Sequence, residues 1–225
     1  MTGPRFEHYD WADGREAMLR FGPDTGPIVV AALPLFEEAN RTRQFLVTIL
    51  RALAQRGIGS VLPDFPGVGE SCVATADARL IDQRDAYKAL VQQLGGRSYG
   101  ISIRNGALFD VEAGLVGRWQ LSPQTGKDLV RELNRTRPAN RFSTAGATHY
   151  AGNALSDLML SDLRDAMPFA AECPMRTVRL DSDPRAADVK YAGSPLWRRS
   201  EPDNEIALAQ VLARDISDWI ASCER

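Results

Sequence analysis

The chain has 225 residues, of which 44% are hydrophobic, enough for one sizeable core. Its formal net charge is -2 with both signs spread along the chain, which argues against a nucleic-acid or anionic-membrane partner. No apolar run approaches the length of a membrane span, and three cysteines without CxxC spacing favour neither a disulfide framework nor a zinc site. We expect a cytoplasmic protein of one domain, residues 1–225, without metal or organic cofactor. The sequence does not predict an oligomeric state.

Short apolar runs alternate with longer amphipathic runs, which is typical of an α/β protein with a mostly parallel sheet covered by helices on both faces. The predicted strands, in chain order, are 17–21, 28–33, 60–63, 99–103, 118–121, 176–180 and 189–191. Apolar residues recur at helical spacing within 45–53, 81–94 and 206–220. Gly57 is predicted to end the first of these helices, and Asp203 to cap the last.

Residues 124–174 interrupt this alternation with two helical segments, roughly 126–136 and 155–167. We interpret the stretch as a small helical cap inserted between the predicted strands 118–121 and 176–180. The piece 144–152 between the helices is the least regular part of the chain. It predicts either a short hairpin or a lid.

The loop after the second predicted strand, residues 33–43, lies where serine hydrolases place one backbone donor of the oxyanion hole. That donor is expected from Leu35 or Phe36, and the second donor from Asn105. Glu37 and Glu38 follow in the same loop. Their carboxylates are predicted either to be solvated or to turn toward the site.

The third predicted strand runs into PDFPGVGES, residues 63–71, which has the D-x-x-G-x-G-x-S pattern of a turn beneath hydrolase sites. Glycines there allow backbone conformations that a side chain would hinder. The segment lacks the third glycine of a GxGxxG motif, so it does not predict a dinucleotide site.

The segment SYGISIRNGALF, residues 98–109, has the pattern of a nucleophile elbow, in which a strand turns sharply into a helix between small residues. With Arg104 at the apex, the flanking small residues are Ser102 and Gly106, and the helix begins at Asn105. With Ser102 at the apex, Arg104 falls where the turn needs no side chain. We prefer the first register. It leaves no nucleophile, because a guanidinium stays protonated and cannot attack a carbonyl.

A catalytic acid would follow the strand that ends at Leu180, where Asp181 and Asp183 both qualify. Asp183, which precedes a proline, suits the loop better. The same residues are also typical of an ordinary turn stabilised by aspartate side chains.

A catalytic histidine would follow the last strand, and residues 193–202 contain none. The two histidines of the chain are His8, near the N-terminus, and His149, in the predicted cap. General base catalysis needs an imidazole within hydrogen-bond reach of the serine hydroxyl. An active enzyme would therefore have to combine Ser102 and Asp183 with His149, recruited by closure of the cap.

A cation at the tip of a partly buried turn costs free energy unless it is paired. Glu37 and Glu38 are the predicted partners of Arg104, and we hypothesise that such an ion pair closes the site. Alternatively, Arg104 faces an open pocket and binds a carboxylate or phosphate with two hydrogen bonds.

Five segments carry a resemblance to a known family: PLFEEANRTR, SIRNGALF, WQLSPQTGKDLVRELNR, AGNALSDLMLSDLRD and AGSPLWRRSEP. Together they resemble the second type of exosortase A system-associated hydrolase, over roughly residues 25–200. The resemblance implies an α/β-hydrolase fold and a place in bacterial exopolysaccharide production and protein sorting. Members often have arginine at the elbow apex, matching Arg104, and tryptophan where a histidine is expected, matching Trp197.

The resemblance implies the fold rather than a reaction, since one fold hosts many functions. We predict a degenerate hydrolase that acts as an accessory or binding protein in exopolysaccharide or cell-envelope biosynthesis, with a small acyl or anionic ligand. The alternative is an active esterase or acyl transferase that uses Ser102. A third possibility is that Arg104 holds an anionic intermediate for non-hydrolytic chemistry.

Overall fold

The computed structural model describes residues 3–12, 14–135, 143–144, 147–150, 152–169 and 173–225. Its strands are β1 (Arg5–Trp11), β2 (Gly14–Phe21), β3 (Ile28–Ala32), β4 (Gly59–Pro63), β5 (Ser98–Ile103), β6 (Gly117–Leu121), β7 (Ser143–Thr144), β8 (Ala147–Tyr150), β9 (Asn153–Ser156), β10 (Met175–Leu180) and β11 (Val189–Tyr191). Eight of them form the central sheet, in the order β1-β2-β4-β3-β5-β6-β10-β11. β2 is antiparallel to both β1 and β4, and the remaining neighbours are parallel.

All seven predicted strands are confirmed. The strand β1 was not predicted, because its residues show little apolar periodicity. It lies at the edge of the sheet, where only Tyr9 is buried. An edge strand that pairs on one side needs few apolar side chains, so its sequence signal is weak.

Five α-helices surround the sheet: α1 (Glu37–Gln55), α2 (Leu80–Leu94), α3 (Gly126–Arg135), α4 (Asp157–Arg164) and α5 (Ile206–Cys223). The helices α1 and α5 cover one face of the sheet, while α2, α3 and α4 cover the other. Successive side chains of a strand alternate between these faces. Tyr99, Ile101 and Ile103 of β5 accordingly join the α1 and α5 side of the core. No helix in the described ranges is both long and apolar enough to span a membrane.

Two predictions at helix ends have different outcomes. Gly57 follows α1 with a φ of 77°, which confirms its place at the end of that helix. The prediction that Asp203 caps α5 is wrong, because the helix starts at Ile206 and Glu205 holds the cap position. Asp203 instead accepts a hydrogen bond from the Asn204 backbone N–H at 2.6 Å.

The stretch 124–174 contains α3, α4 and a second sheet in which β7, β8 and β9 pair antiparallel. It is therefore less helical than predicted. The helix expected from residue 155 begins at Asp157, because the Ser156 hydroxyl accepts a hydrogen bond from the Met159 N–H at 3.0 Å and caps it. For 144–152 a hairpin and a lid were predicted as alternatives, and the described residues pair as antiparallel strands, β7 with β8 and β8 with β9. Residues 145, 146 and 151 lie outside the described ones.

Candidate functional site

The turn after β5 has Arg104 at its apex. Arg104 adopts a φ of 55°, a left-handed conformation that residues other than glycine seldom take. Gly106 lies so close to the end of β3 that a Cβ there would be 2.7 Å from the carbonyl oxygens of Ala32 and Leu33. The segment that follows is a pair of 3-10 helices, Arg104–Leu108 and Asp110–Glu112, rather than the predicted helix from Asn105.

The guanidinium of Arg104 is buried between two carboxylates. Its Nε and Nη2 donate to the two oxygens of Glu38 at 3.2 and 3.3 Å, and Nη2 also donates to Glu132 Oε2 at 3.1 Å. The Arg104 side chain is only 4% exposed. Of the two predicted partners, Glu38 is the one that pairs with Arg104, while Glu37 lies 3.5 Å from the Asn153 amide nitrogen.

Arg104, Glu38 and Glu132 form a cluster in which two carboxylates share one guanidinium. Burial raises the pKa of Glu38, Arg104 opposes that rise, and the neighbouring charge of Glu132 adds to it. Arg104 is thereby engaged by the two glutamates, and its guanidinium is not free to bind an anion at the apex.

Asn105 links the elbow to two neighbouring segments. Its Oδ1 accepts a hydrogen bond from the Leu35 backbone N–H at 2.6 Å, and its Nδ2 donates to Gln124 Oε1 at 3.0 Å. Gln124 in turn donates to Glu132 at 2.8 Å. Because the Leu35 N–H is used in this way, Leu35 does not offer the loop donor that was predicted from it or from Phe36. Phe36 sits at the start of α1 with a φ of 61°.

The structure places Ser102 within β5, not at the apex. It pairs in register with Ala32 and Gln120, it is 2% exposed, and its Oγ has no hydrogen-bond partner among the described residues. His149 lies in β8, opposite Ala154. The Ser102 hydroxyl is therefore not hydrogen-bonded to His149.

Asp183 follows β10, where an acid was predicted, but its carboxylate is hydrogen-bonded to two arginines. Arg185 donates to both of its oxygens at 3.0 and 2.7 Å, and Arg179 donates at 2.9 Å. These guanidinium groups, led by Arg185, hold the pKa of Asp183 well below its usual range. The three residues of the alternative triad, Ser102, His149 and Asp183, are thus not joined by hydrogen bonds in this structure.

Trp197 lies in the 3-10 turn Leu196–Arg198, in the segment where a catalytic histidine was expected. The guanidinium carbon of Arg104 lies 5.3 Å from the centre of the buried Trp197 ring, within the range of a cation–π contact. The Trp197 carbonyl also accepts a hydrogen bond from Arg41 of α1 at 3.1 Å. The tryptophan thus covers the apex that an imidazole would otherwise face.

Two neighbouring cavities flank the cluster. The larger, of about 410 Å³, is lined by Arg104 and by the loops after β6, β10 and β11. The smaller, of about 300 Å³, is lined by Phe36, by Glu37 and Glu38 in the first turn of α1, and by α3. Glu132, Trp197 and Arg198 line both cavities. The described part of the chain holds no group of three or more His, Cys, Asp and Glu side chains placed to hold a metal ion.

Sequence reasoning missed three residues of this site: Ser122, Gln124 and Glu132. Gln124 and Glu132 lie just before and within α3, where polar residues are typical of a solvated helix face. Ser122 directly follows β6 with a φ of 48°, which its residue type does not predict. The only sequence signal for these residues is their position near the end of a strand, because α/β folds bind ligands at the carboxyl ends of their parallel strands.

No family model and no curated protein matches the sequence. Solved structures do match. The serine hydrolase XC6422 from Xanthomonas campestris, described as lacking a lid, has a TM-score of 0.58 and 15% identity over 97% of this chain and 96% of its own. Est1E from Butyrivibrio proteoclasticus, with ferulic acid bound, has a TM-score of 0.64 and 14% identity over 96% and 99%. A haloalkane dehalogenase loop variant from Bradyrhizobium elkanii has a TM-score of 0.63 and 12% identity over 99% and 98%.

At these identities the likeness concerns the fold alone, which supports several chemistries. The mostly parallel sheet with helices on both faces superposes on these neighbours over nearly the whole chain. The protein therefore has the α/β-hydrolase fold.

Proposed function

We propose that this protein binds a small ligand without hydrolysing it, at the carboxyl ends of β5, β6 and β10, and that it lacks a working serine triad. The observation that carries this proposal is the ion-paired Arg104 at the elbow apex, where a nucleophile would stand. The residues 124–174 act as a cap on a single domain. Following the resemblance of the sequence, we place the protein in the bacterial cytoplasm as an accessory of exopolysaccharide or cell-envelope biosynthesis.

The electrostatics of the apex support a non-hydrolytic role. A hydrolase stabilises the negative charge that develops on the substrate carbonyl oxygen with donors aimed at that oxygen. Here the Arg104 guanidinium at the apex donates to Glu38 and Glu132 instead, so it is not available to such an oxygen. Serine attack also needs a base, and the Ser102 hydroxyl has no partner in the described chain.

The proposal is tested by labelling with a fluorophosphonate, which reacts with activated serines. We expect no stoichiometric labelling of the wild-type protein under conditions that fully label an active esterase of the same fold. Ser102→Ala and Ser122→Ala serve as matched variants, because each removes one buried hydroxyl near the elbow. Stoichiometric labelling of the wild type would overturn the proposal, and its loss in one variant would identify the nucleophile. Loss in Ser102→Ala would establish the alternative esterase or acyl transferase.

A further inference from the structure

The larger cavity contains a buried hydroxyl that the protein leaves unused. Ser122 is 1% exposed, lines this cavity, and its Oγ has no hydrogen-bond partner among the described residues. Its backbone is also held in the left-handed region, with a φ of 48°. An unpaired buried hydroxyl and a strained backbone both cost free energy, and such costs concentrate at binding sites.

The same cavity contains one arginine that is left without an acidic partner. Arg131 pairs with Asp128, Arg185 pairs with Asp183, and Arg104 is held by its two glutamates. Arg198 lines the cavity, its residue is exposed, and no carboxylate in the described ranges lies within ion-pair distance of it. Its planar guanidinium offers five N–H donors in a geometry that matches a carboxylate or a phosphate.

The remaining walls define the size and character of a ligand. Leu180, Pro184, Pro195 and Trp197 supply apolar surface, and the volume of about 410 Å³ lies in the range of small-molecule sites. The carboxylates of the cavity already have arginine partners, so a cationic ligand would find no free counter-charge. An anionic group, in contrast, would find Arg198.

We infer that the cavity binds a small organic anion whose carboxylate or phosphate pairs with Arg198 and whose hydroxyl or carbonyl group hydrogen-bonds to Ser122 Oγ. This inference rests on the proposed function and names its ligand class. Ser122 and Arg198 are the specificity-determining residues.

The test is calorimetric titration at low ionic strength with three probes: glucose 1-phosphate, gluconate and glucose. The first two distinguish a phosphate from a carboxylate, and glucose lacks the anionic group. We expect at least one anion to bind, and glucose to bind about tenfold more weakly or not at all. Arg198→Gln should weaken anion binding about tenfold, and Ser122→Ala severalfold. Arg214→Gln, which removes an exposed arginine of α5 away from the cavity, should change nothing.

Three results would overturn the inference: neither anion binds at millimolar concentration, glucose binds as tightly as the anions, or Arg198→Gln behaves like Arg214→Gln. Circular dichroism melting shows that each variant is folded, and Ser122→Gly provides a second variant that removes the hydroxyl without backbone strain. The labelling experiment is independent of this titration. A protein that stays unlabelled and binds no anion would contradict the ligand class while leaving the proposed absence of hydrolysis intact.

Discussion

Arg104 at the end of β5 and Glu38 in the first turn of α1 form an ion pair with two parallel hydrogen bonds. The pair joins the elbow to the loop after β3, the two segments between which a serine hydrolase binds the carbonyl of its substrate. Trp197 packs over the same guanidinium. The side chains of Arg104, Glu38 and Trp197 thereby fill the place of a reacting carbonyl, and the larger cavity lies beside them.

We expect Arg104→Met to lower the free energy of unfolding at pH 7 by about 3 kcal/mol, because it leaves two neighbouring carboxylates without their cation. The effect should shrink as the pH falls and the carboxylates become protonated. Urea denaturation at pH 5 and pH 7 measures both effects. The control is Arg131→Met on the exposed surface of α3, for which we expect a change within about 0.5 kcal/mol. Equal losses in the two variants would contradict a structural role for the Arg104 ion pairs.

Glu38→Gln should leave the free energy of unfolding at pH 7 unchanged or raise it. Burial raises the pKa of Glu38 above its value in the unfolded chain despite Arg104, so folding favours the neutral side chain. The amide keeps the shape of the carboxylate, and Glu132 still pairs with Arg104. In the Arg104→Met background, the same substitution should recover part of the lost stability. A double-mutant cycle measures this coupling, and a large loss in Glu38→Gln alone would show that the attraction to Arg104 exceeds the cost of burial.

The stability of the protein should fall between pH 4 and pH 7 because of one buried carboxyl. Asp110 lies with its Oδ2 3.4 Å from Nε of Arg118, both side chains are 2% exposed, and burial raises the pKa of Asp110 to about 6. The folded protein then binds the proton of the Asp110 carboxyl more tightly than the unfolded chain does. The contribution of this proton to the free energy of unfolding is complete below the unfolded pKa and is lost as the pH rises through 6, an effect of about 3 kcal/mol.

Asp110→Asn should remove this pH dependence, so the free energies of unfolding of the variant and the wild type should draw apart steadily between pH 4 and pH 7. Guanidinium denaturation at half-unit pH intervals measures the two slopes. Glu112→Gln is the matched control, because Glu112 lies two residues away and is exposed. Parallel slopes for the wild type and Asp110→Asn would show that Asp110 is ionised throughout this range.

The sheet was predictable because each of its central strands is a short apolar run, and the apex was predictable because small residues flank Arg104 in sequence. Gly106 is required by the close carbonyls of β3, so the elbow pattern has a local physical cause. The pairing of Arg104 with Glu132 was not predictable. The two residues are 28 positions apart, and only the packing of α3 against the elbow brings them together.

In the anion-binding proposal, the backbone conformation and the unpaired hydroxyl of Ser122 lower the stability of the unliganded fold. Replacing Ser122 with glycine removes both the unpaired buried hydroxyl and the strain of a φ of 48°. Each removal stabilises the fold by about 1 kcal/mol, while the greater freedom of glycine in the unfolded chain offsets about 0.5–1 kcal/mol of the gain. We expect Ser122→Gly to raise the melting temperature and Ser122→Ala, which keeps the strain, to raise it less. Both variants should bind the anionic probe more weakly than the wild type. If Ser122→Gly instead lowers the melting temperature, the Ser122 hydroxyl stabilises the unliganded protein. Ser122 then carries no free-energy cost that ligand binding would have to explain.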